Sequence, residues 1–222
     1  MRPVHHSRNA IERIGIDESG KGDYFGPLVI AAVFVDSTTQ GELRLMEVRD
    51  SKKLSDGRVL EMAPDITTIC HHSIIAIGPQ KYNELYAKIK NLNRLLAWGH
   101  AKALENLLER GITCERAISD QFGDERLILN ALQEKGQKIV LEQRPKAESD
   151  LAVAAASILA RAEFLIRLKR LSSEVGTTLP KGASPVVELA ARMIIKKHGR
   201  DRLASVAKFH FKTTKAVLAT LI

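Results

Sequence analysis

The sequence predicts an α/β domain built on a mixed β-sheet. Apolar, β-branched runs at Ile14–Ile16, Pro27–Asp36 and Thr68–Gly78 predict three strands in the first third of the chain. Further on, segments with helical spacing alternate with two short strands, a pattern typical of a sheet covered by helices. The composition fits one well-buried domain, because the 222 residues are 45% hydrophobic and 27% charged.

The middle of the chain supplies the alternation. The stretch Asp36–Pro64 is polar, and within it DSKKLSDG, at Asp50–Gly57, is typical of a loop or a helix start. Leucines and aromatic residues recur at helical spacing over Tyr82–Arg110, which predicts one or two amphipathic helices. We then expect a strand at Arg116–Asp120, a helix over about 124–135 and a strand at Lys138–Gln143.

A long helix is predicted next, in SDLAVAAASILARAEFLIRLKRL, with Ser149 or Asp150 as its N-cap. Its alanine-rich first half would let it pack very close to a sheet. After a break at Gly176–Pro185, two helical segments finish the chain. We therefore predict one domain over residues 1–222, with a leader of about 1–13 and a basic C-terminal helical segment of about 184–222.

The charge of the chain indicates an anionic partner. The net charge is +8, and nine Lys or Arg residues against two acidic ones fall within Lys181–Ile222. Nucleic acid fits this concentration of positive charge best. A basic surface that serves only solubility is the alternative.

The cysteine content and the N-terminus predict a soluble, cytoplasmic protein. Only Cys70 and Cys114 occur, without the spacing of metal ligands or of a disulfide framework. The N-terminus lacks the apolar core of a signal peptide, and no run approaches the ~18 apolar residues of a membrane span.

The stretch DESGKGDYFG, Asp17–Gly26, places a glycine-rich turn after the first strand. A dinucleotide-binding loop requires G-x-G-x-x-G between a strand and a helix, whereas Gly20, Gly22 and Gly26 have a longer spacing and lead into a strand. A phosphate-binding P-loop requires G-K-[ST] entering a helix. Both nucleotide-binding interpretations fail, and a glycine turn without a ligand remains possible.

Carboxylates recur where predicted strands end. Asp17 and Glu18 end the first strand, Asp120 ends a later one, and Glu148 and Asp150 flank the start of the long helix. Each acid by itself is explained by helix capping or a solvated loop. Together, without His or Cys ligands, they favour hard divalent cations bound by oxygen. Two such ions about 4 Å apart form the kind of site that hydrolyses phosphodiesters.

The chain resembles the type 2 ribonucleases H. DESGKGDYFGP is similar to their first motif, and Lys21, Tyr24 and Phe25 make it similar to the ribonuclease HIII branch. The resemblance extends over about residues 14–217. It is carried in order by DSKKLS, KYNELYAKIKNLNRLLAWGHAKALENLL, ISDQF, KAESDLAVAAASILAR, LPKGAS and AKFHFKTTK. It implies a ribonuclease H-like fold with a mixed central sheet flanked by helices, and a C-terminal helical segment.

The resemblance also implies the site residues and the divalent cations Mg²⁺ or Mn²⁺. Asp17, Glu18, Asp120 and Glu148 would be the metal-binding catalytic acids, with Asp150 in reserve for the fourth position, although Asp150 also suits a helix N-cap. The remaining residues are implied to contact substrate: Gly20, Lys21, Gly22, Ser157, Lys208, His210, Lys212 and Lys215.

These substrate contacts would have different partners. The backbone of Gly20–Gly22 would approach the 2′-hydroxyls that distinguish RNA from DNA, and Lys21 would meet phosphates unless it is merely solvated. Ser157 would reach a phosphate, or else bond backward along its own helix. Ribonucleases HIII usually carry an N-terminal substrate-binding domain, which we do not expect here, so the basic tail would grip phosphates through Lys208, His210, Lys212 and Lys215.

The resulting hypothesis is an endoribonuclease that hydrolyses the RNA strand of RNA/DNA hybrids by a two-metal-ion mechanism, leaving 5′-phosphate and 3′-hydroxyl ends. One alternative is an HII-like enzyme that cuts at single ribonucleotides in duplex DNA. Another is a hybrid-binding protein without catalysis. We infer no membrane association and no protein partner, and we take a monomer as the default.

Overall fold

A five-stranded mixed sheet is the centre of the fold in the computed structural model, which describes residues 11–124, 126–133 and 136–219. Its order is β3-β2-β1-β4-β5. The first three strands pair antiparallel, whereas β1, β4 and β5 run parallel. The strands are β1 Arg13–Ser19, β2 Leu28–Val35, β3 His72–Ile77, β4 Arg116–Asp120 and β5 Val140–Arg144.

Helices cover both faces of this sheet. The described α-helices are α1 Ser37–Leu45, α2 Asp56–Ile69, α3 Pro79–Ile89, α4 Leu92–Glu109, α5 Arg126–Leu129, α6 Leu151–Val175, α7 Pro185–Ala204 and α8 Lys212–Leu218. Single 3₁₀ turns occur at Ser51–Lys53, Gly136–Lys138 and Ala147–Ser149. The described residues therefore form a three-layer α/β structure, as the sequence predicts.

Two apolar cores separate the layers. Residues such as Val29, Ala31 and Val33 of β2 face α6 and α2, while the alternate Leu28 and Ile30 face α4. The period-2 alternation of a strand buried on both faces explains why β2 is apolar throughout.

The contact between β1 and α6 is unusually close. A Cβ atom added to Gly15 would lie 2.1 Å from the backbone carbon of Ala152. Glycine in the strand and alanine in the first turns of α6 therefore let the two backbones approach, and this fixes where the N-terminus of α6 lies relative to the end of β1.

The polar stretch Asp36–Pro64 contains α1, which the sequence pattern did not predict, and most of α2, which begins within Asp50–Gly57, the segment typical of a loop or a helix start. Asp36 caps α1 in a capping box with Thr39, and α2 runs through Pro64 without ending there. Low hydrophobicity conceals these helices, because each buries only a narrow stripe of side chains, such as Leu43 in α1 and Val59 in α2.

Other boundaries differ modestly from expectation. The strand predicted at Arg116–Asp120 has those bounds, whereas the one predicted at Lys138–Gln143 lies at Val140–Arg144. The helix expected over about 124–135 is limited to Arg126–Leu129 among the described residues of that stretch; residues 125, 134 and 135 lie outside the described part.

The C-terminal helical segment packs into the domain. Val187 and Ile194 of α7 belong to the same core as β2 and α6, and Ala207 pairs with Phe25 in an isolated bridge. At the other end β1 begins at Arg13, so the ordered fold reaches one residue into the predicted leader, whose residues 1–10 lie outside the described part. Among the described helices, none is long and apolar enough to span a membrane.

Candidate active site

The predicted acids meet at one edge of the sheet. Asp17 and Glu18 lie near the carboxyl end of β1, Asp120 is the last residue of β4, and Glu148 follows the end of β5. These three strands are parallel neighbours. The carboxyl ends of parallel strands share an edge, and this edge is where α/β sheets usually place their active sites.

Asp17 lies on the α6 face, opposite Ala31 of β2, and is only 9% exposed. Its Oδ1 accepts a hydrogen bond of 2.8 Å from the backbone N–H of Glu18. Burial, followed by the negative charges of Glu18 and Asp120, raises the pKa of Asp17 well above its ordinary value. The site therefore concentrates more negative charge than its own hydrogen bonds neutralise.

Glu18 is still paired within β1, opposite Ile30, and so lies on the α4 face. Its Oε2 lies 3.1 Å from Nε2 of His100, and its Oε1 lies 3.4 Å from Nζ of Lys21. Burial opposes ionisation, but His100 and then Lys21 outweigh it and lower the pKa of Glu18. Neighbouring strand positions point apart, yet the charge of Glu18 still acts on Asp17 because both lie near the strand end.

Asp120 and Glu148 are linked through a short turn. Oδ1 of Asp120 accepts a hydrogen bond of 3.2 Å from the N–H of Ala147, next to Glu148. Lys146 precedes this turn with a φ of 57°, a left-handed conformation that reverses the chain after β5. The structure thus brings Glu148 toward the acids of β1 and β4.

Lys52 supplies positive charge to this acidic edge. Burial lowers the pKa of its ammonium, but the charges of Asp17, Asp50, Glu148 and Asp120 outweigh burial and raise it. Three of the four predicted metal-binding carboxylates, those of Asp17, Asp120 and Glu148, therefore act electrostatically on the same ammonium.

Ser157 has a different role from the phosphate contact that the resemblance implied. Its hydroxyl is buried, donates to the carbonyl of Ala154 at 2.8 Å and accepts from the N–H of Ser51 at 3.1 Å. One turn further along α6, Arg161 bonds to the carbonyls of Ser51 and Leu54. Ser157 and Arg161 therefore hold the turn that carries Lys52, and the hydroxyl of Ser157 has no proton left for a phosphate.

Asp150 caps α6. Its Oδ1 accepts from the N–H of Ala152 at 2.8 Å, and its carboxylate forms an ion pair of 2.7 Å with the guanidinium of Arg13. Both partners are largely buried. Its carboxylate is thus committed to structure, whereas Glu148 lies in the field of Lys52.

The donor set suits a hard divalent cation. Carboxylate oxygens predominate, and burial together with like charge disfavours ionised Asp17, a cost that a bound cation relieves. Across the described residues, no three His, Cys, Asp or Glu side chains already form a metal-binding cluster. Oxygens of Asp17, Glu18 and Asp120 are instead held by protein donors.

The glycine loop lies beside the acids. Gly20 has a φ of 86°, and a Cβ there would lie 2.2 Å from the carbonyl oxygen of Pro27, so the fold itself requires glycine. Gly22 is exposed with open space where a Cβ would stand. Lys21 lies between them, and its ammonium contacts Glu18 and the ring of Phe122, 5.7 Å from the centroid. Only Gly22 therefore leaves space for a bound chain.

The expected phosphate contact of Lys208 is wrong. Its side chain is fully buried and donates to the carbonyls of Phe25, Gly26 and Pro27, at 3.4, 2.6 and 3.3 Å. Burial lowers its pKa to about 7. Lys208 therefore anchors the end of the glycine loop to the C-terminal segment, where no phosphate can reach it.

The other tail residues lie nearer the surface. His210 is half-buried against Tyr82 and Tyr86, with its ring 4.5 Å from that of Tyr86, and burial lowers its pKa, with a smaller effect from Lys208. It can therefore offer a hydrogen bond more readily than a charge at neutral pH. Lys212 and Lys215 are exposed on α8 and remain available to an anionic partner.

The sequence pattern missed His100 and Lys52 as members of this site. His100 lies among the buried residues of α4 and is fully buried. A polar residue on the apolar stripe of a predicted helix was the available signal, because a buried polar group needs a partner; α4 has two such residues, His100 and Glu105. Lys52 carried no such signal, since its approach to the acids depends on α6 holding the Ser51–Lys53 turn.

The sequence of this chain is similar to those of known ribonucleases. A family model described as Ribonuclease HII matches residues 14–214. The chain is 50% identical over 206 residues to "Ribonuclease HIII" of Protochlamydia amoebophila and 47% identical over 203 residues to that of Chlamydia pneumoniae. These matches cover 92% and 90% of this chain and 68% of each relative.

Two solved ribonuclease structures are also similar to the structure of this chain. Bst-RNase HIII, solved in complex with Mn²⁺, has a TM-score of 0.88 and 35% identity, covering 97% of this chain and 71% of that one. Aquifex aeolicus RNase H3 has a TM-score of 0.74 and 31% identity, covering 90% and 72% of the two chains. Since the family model spans almost the whole described fold, including every acid of the sheet edge, the chain belongs to the ribonuclease HII family.

Proposed function

We propose that this protein is an endoribonuclease that hydrolyses the RNA strand of RNA/DNA hybrids with divalent cations, Mg²⁺ or Mn²⁺. The single observation that carries the proposal is the gathering of acids at the carboxyl ends of three adjacent parallel strands, next to an exposed glycine. The family supports ribonuclease H activity, and relatives named ribonuclease HIII favour the hybrid as substrate.

The four acids would bind the cations. The charges of Asp17, Asp120 and Glu148 raise the pKa of Lys52, and those of Glu18 and Asp120 raise the pKa of Asp17. When bound, two divalent cations stabilise negative charge at the attacking and leaving oxygens of phosphodiester hydrolysis. This chemistry leaves a 5′-phosphate and a 3′-hydroxyl.

The protein's own groups would select and orient the substrate. Gly22 leaves space for a nucleic acid backbone, so main-chain groups of the loop can approach a ribose 2′-hydroxyl. Lys21 and Lys52 would meet phosphates while they screen the acids. Lys212 and Lys215 add contacts that do not depend on base sequence and that weaken with salt.

The test is cleavage of two end-labelled duplexes, an RNA strand paired with DNA and a DNA duplex containing one ribonucleotide, each with Mg²⁺, Mn²⁺ or EDTA. Metal-dependent cutting of the hybrid is expected, with products that a polymerase extends without prior phosphatase treatment. Cutting only at the single ribonucleotide would replace the proposal by HII-like specificity, and binding without cutting would leave a hybrid-binding protein.

Asp17→Asn tests whether cleavage requires the carboxylate of Asp17. It should abolish turnover while hybrid binding in EDTA persists, because it removes a carboxylate oxygen without changing the shape of the side chain. Asp65→Asn, at an exposed acid on α2, is the matched change outside the site. Retained activity in Asp17→Asn would contradict the assignment of the acids.

A further inference from the structure

His100 forms a closed cluster with the acid site. Its Nε2 lies 3.1 Å from Oε2 of Glu18, its Nδ1 lies 3.1 Å from Oγ of Ser119, and its ring lies 4.7 Å from the ring of Phe122. Lys21 belongs to the same cluster, because its ammonium lies over the ring of Phe122 and 3.4 Å from Oε1 of Glu18. The carboxylate of Glu18 is thus held by His100 of α4 and Lys21 of the glycine loop, which Ser119 of β4 and Phe122 contact in turn.

The imidazole is buried at a cost that only its hydrogen bonds offset. His100 and Ser119 are both fully buried, and a polar group without a hydrogen-bond partner is unfavourable in such a place. Both ring nitrogens have partners. A leucine would suit the apolar stripe of α4 better if packing alone determined this position.

The hydrogen-bond partners determine the orientation of the ring. An ionised carboxylate only accepts hydrogen bonds, so Nε2 carries a proton and donates it to Glu18. On the other side of the ring, Oγ of Ser119 lies 3.1 Å from Nδ1, and its hydroxyl also donates to the carbonyl of Asp120 at 3.0 Å. This arrangement holds Oε2 and leaves Oε1 toward the loop, where the contact with Lys21 is long, at 3.4 Å.

We propose that His100 is a positioning residue, which holds Glu18 so that its Oε1 faces the metal-binding edge of the sheet. A free glutamate side chain has several rotatable bonds, and its ordering on binding is entropically unfavourable. His100 orders it beforehand. Outer partners of ligating groups typically contribute 10–100-fold to metal affinity, and His100 fits this role geometrically. The inference rests on the proposed metal-dependent function.

The test is calorimetric titration of Mn²⁺ into the full chain without substrate. His100→Leu removes the donor at similar volume and should weaken Mn²⁺ binding by about 10-fold or more. His100→Gln places an amide N–H near the position of Nε2 and should retain affinity within about threefold of wild type. His198→Leu is the matched control, since His198 bonds to the carbonyl of Val175, away from the acids.

A double-mutant cycle with Glu18→Gln separates positioning from a general structural effect. If His100 acts through Glu18, His100→Leu should weaken Mn²⁺ binding little further in the Glu18→Gln background. Equal losses in both backgrounds, or wild-type Mn²⁺ affinity in a less thermostable His100→Leu, would overturn the proposal.

Two further outcomes remain decisive. Should His100→Leu not fold, Ser119→Ala takes its place. It removes the partner of Nδ1 and should weaken Mn²⁺ binding severalfold, and wild-type Mn²⁺ affinity in Ser119→Ala would count against the role. A wild-type protein that binds Mn²⁺ but cuts neither duplex would refute the proposed function alone, whereas one that binds no Mn²⁺ would refute both.

Discussion

Replacement of Lys208 by methionine is expected to destabilise the fold in a pH-dependent way. The ammonium of Lys208 is fully buried and donates to three carbonyl oxygens at the end of the glycine loop, most closely to that of Gly26 at 2.6 Å. Methionine keeps most of the volume but removes every donor. The three carbonyls would then lack this partner in a buried site.

Two opposing effects set the magnitude. Methionine leaves buried carbonyl oxygens without a hydrogen-bond donor, which costs about 1–3 kcal/mol. Burial of the ammonium acts the other way, since it lowers the pKa of Lys208 from 10.5 to about 7. The unfolded chain therefore binds more protons than the folded one between those values, so the contribution of Lys208 to stability is smallest below pH 7 and grows as the pH rises toward 10.5.

The assay is urea unfolding of wild type and Lys208→Met at pH 7, 8, 9 and 10. The difference in unfolding free energy should widen by about 1 kcal/mol per pH unit over this range, because other groups titrate alike in both proteins. Lys212→Met, at an exposed lysine of the adjacent helix, is the matched control and should change stability by less than about 0.5 kcal/mol. A difference that stays constant up to pH 10 would refute the reasoning, since it would mean that the three carbonyls keep the lysine charged.

Three further predictions concern the site itself. Glu148→Gln should abolish metal-dependent hybrid cleavage with little loss of stability. Asp150→Ala should lower the free energy of unfolding in urea by about 2–4 kcal/mol, because α6 loses its N-cap and Arg13 loses its ion-pair partner, yet cleavage per folded molecule should stay near wild type; the reverse pattern would make Asp150 the fourth acid. Gly22→Ala should leave the melting temperature unchanged but weaken hybrid binding measured by fluorescence anisotropy. Gly41→Ala, inside α1 with open space at its Cβ position, should leave binding unchanged and raise the melting temperature slightly, because alanine favours a helix; normal binding by Gly22→Ala would remove the loop from the substrate path. Asp17→Asn should raise the stability of the metal-free protein at pH 7 in EDTA, measured by urea unfolding, because the raised pKa of Asp17 means that its ionisation disfavours folding as the pH rises through that pKa; equal stability of the two proteins at pH 7 would contradict the raised pKa.

The local pattern of the sequence was enough to place the strands and their acids. Apolar runs located β1, β2 and β4, and the acids at the ends of β1 and β4 located the candidate site, because strand periodicity and terminal position are properties of neighbouring residues. The N-cap of α6 at Asp150 was similarly readable, since a cap depends on one side chain and the next turn. Helix α1 was not, because its apolar stripe is narrow, and for α2 the sequence indicated only a loop or a helix start at Asp50–Gly57.

What the tertiary structure alone decided was which polar groups face one another. Lys208 and Lys212 look alike in the sequence, yet one is enclosed by carbonyls of the glycine loop 181 or more positions away, and the other is exposed. The pairing of His100 with Glu18 likewise joins residues 82 positions apart through the packing of α4 on β1. Charge and periodicity are local properties of the chain, so the sequence by itself determined the strands and the acids. Burial and hydrogen-bond partners arise only when distant segments pack, so the tertiary structure determined which lysine and histidine side chains contact the acids.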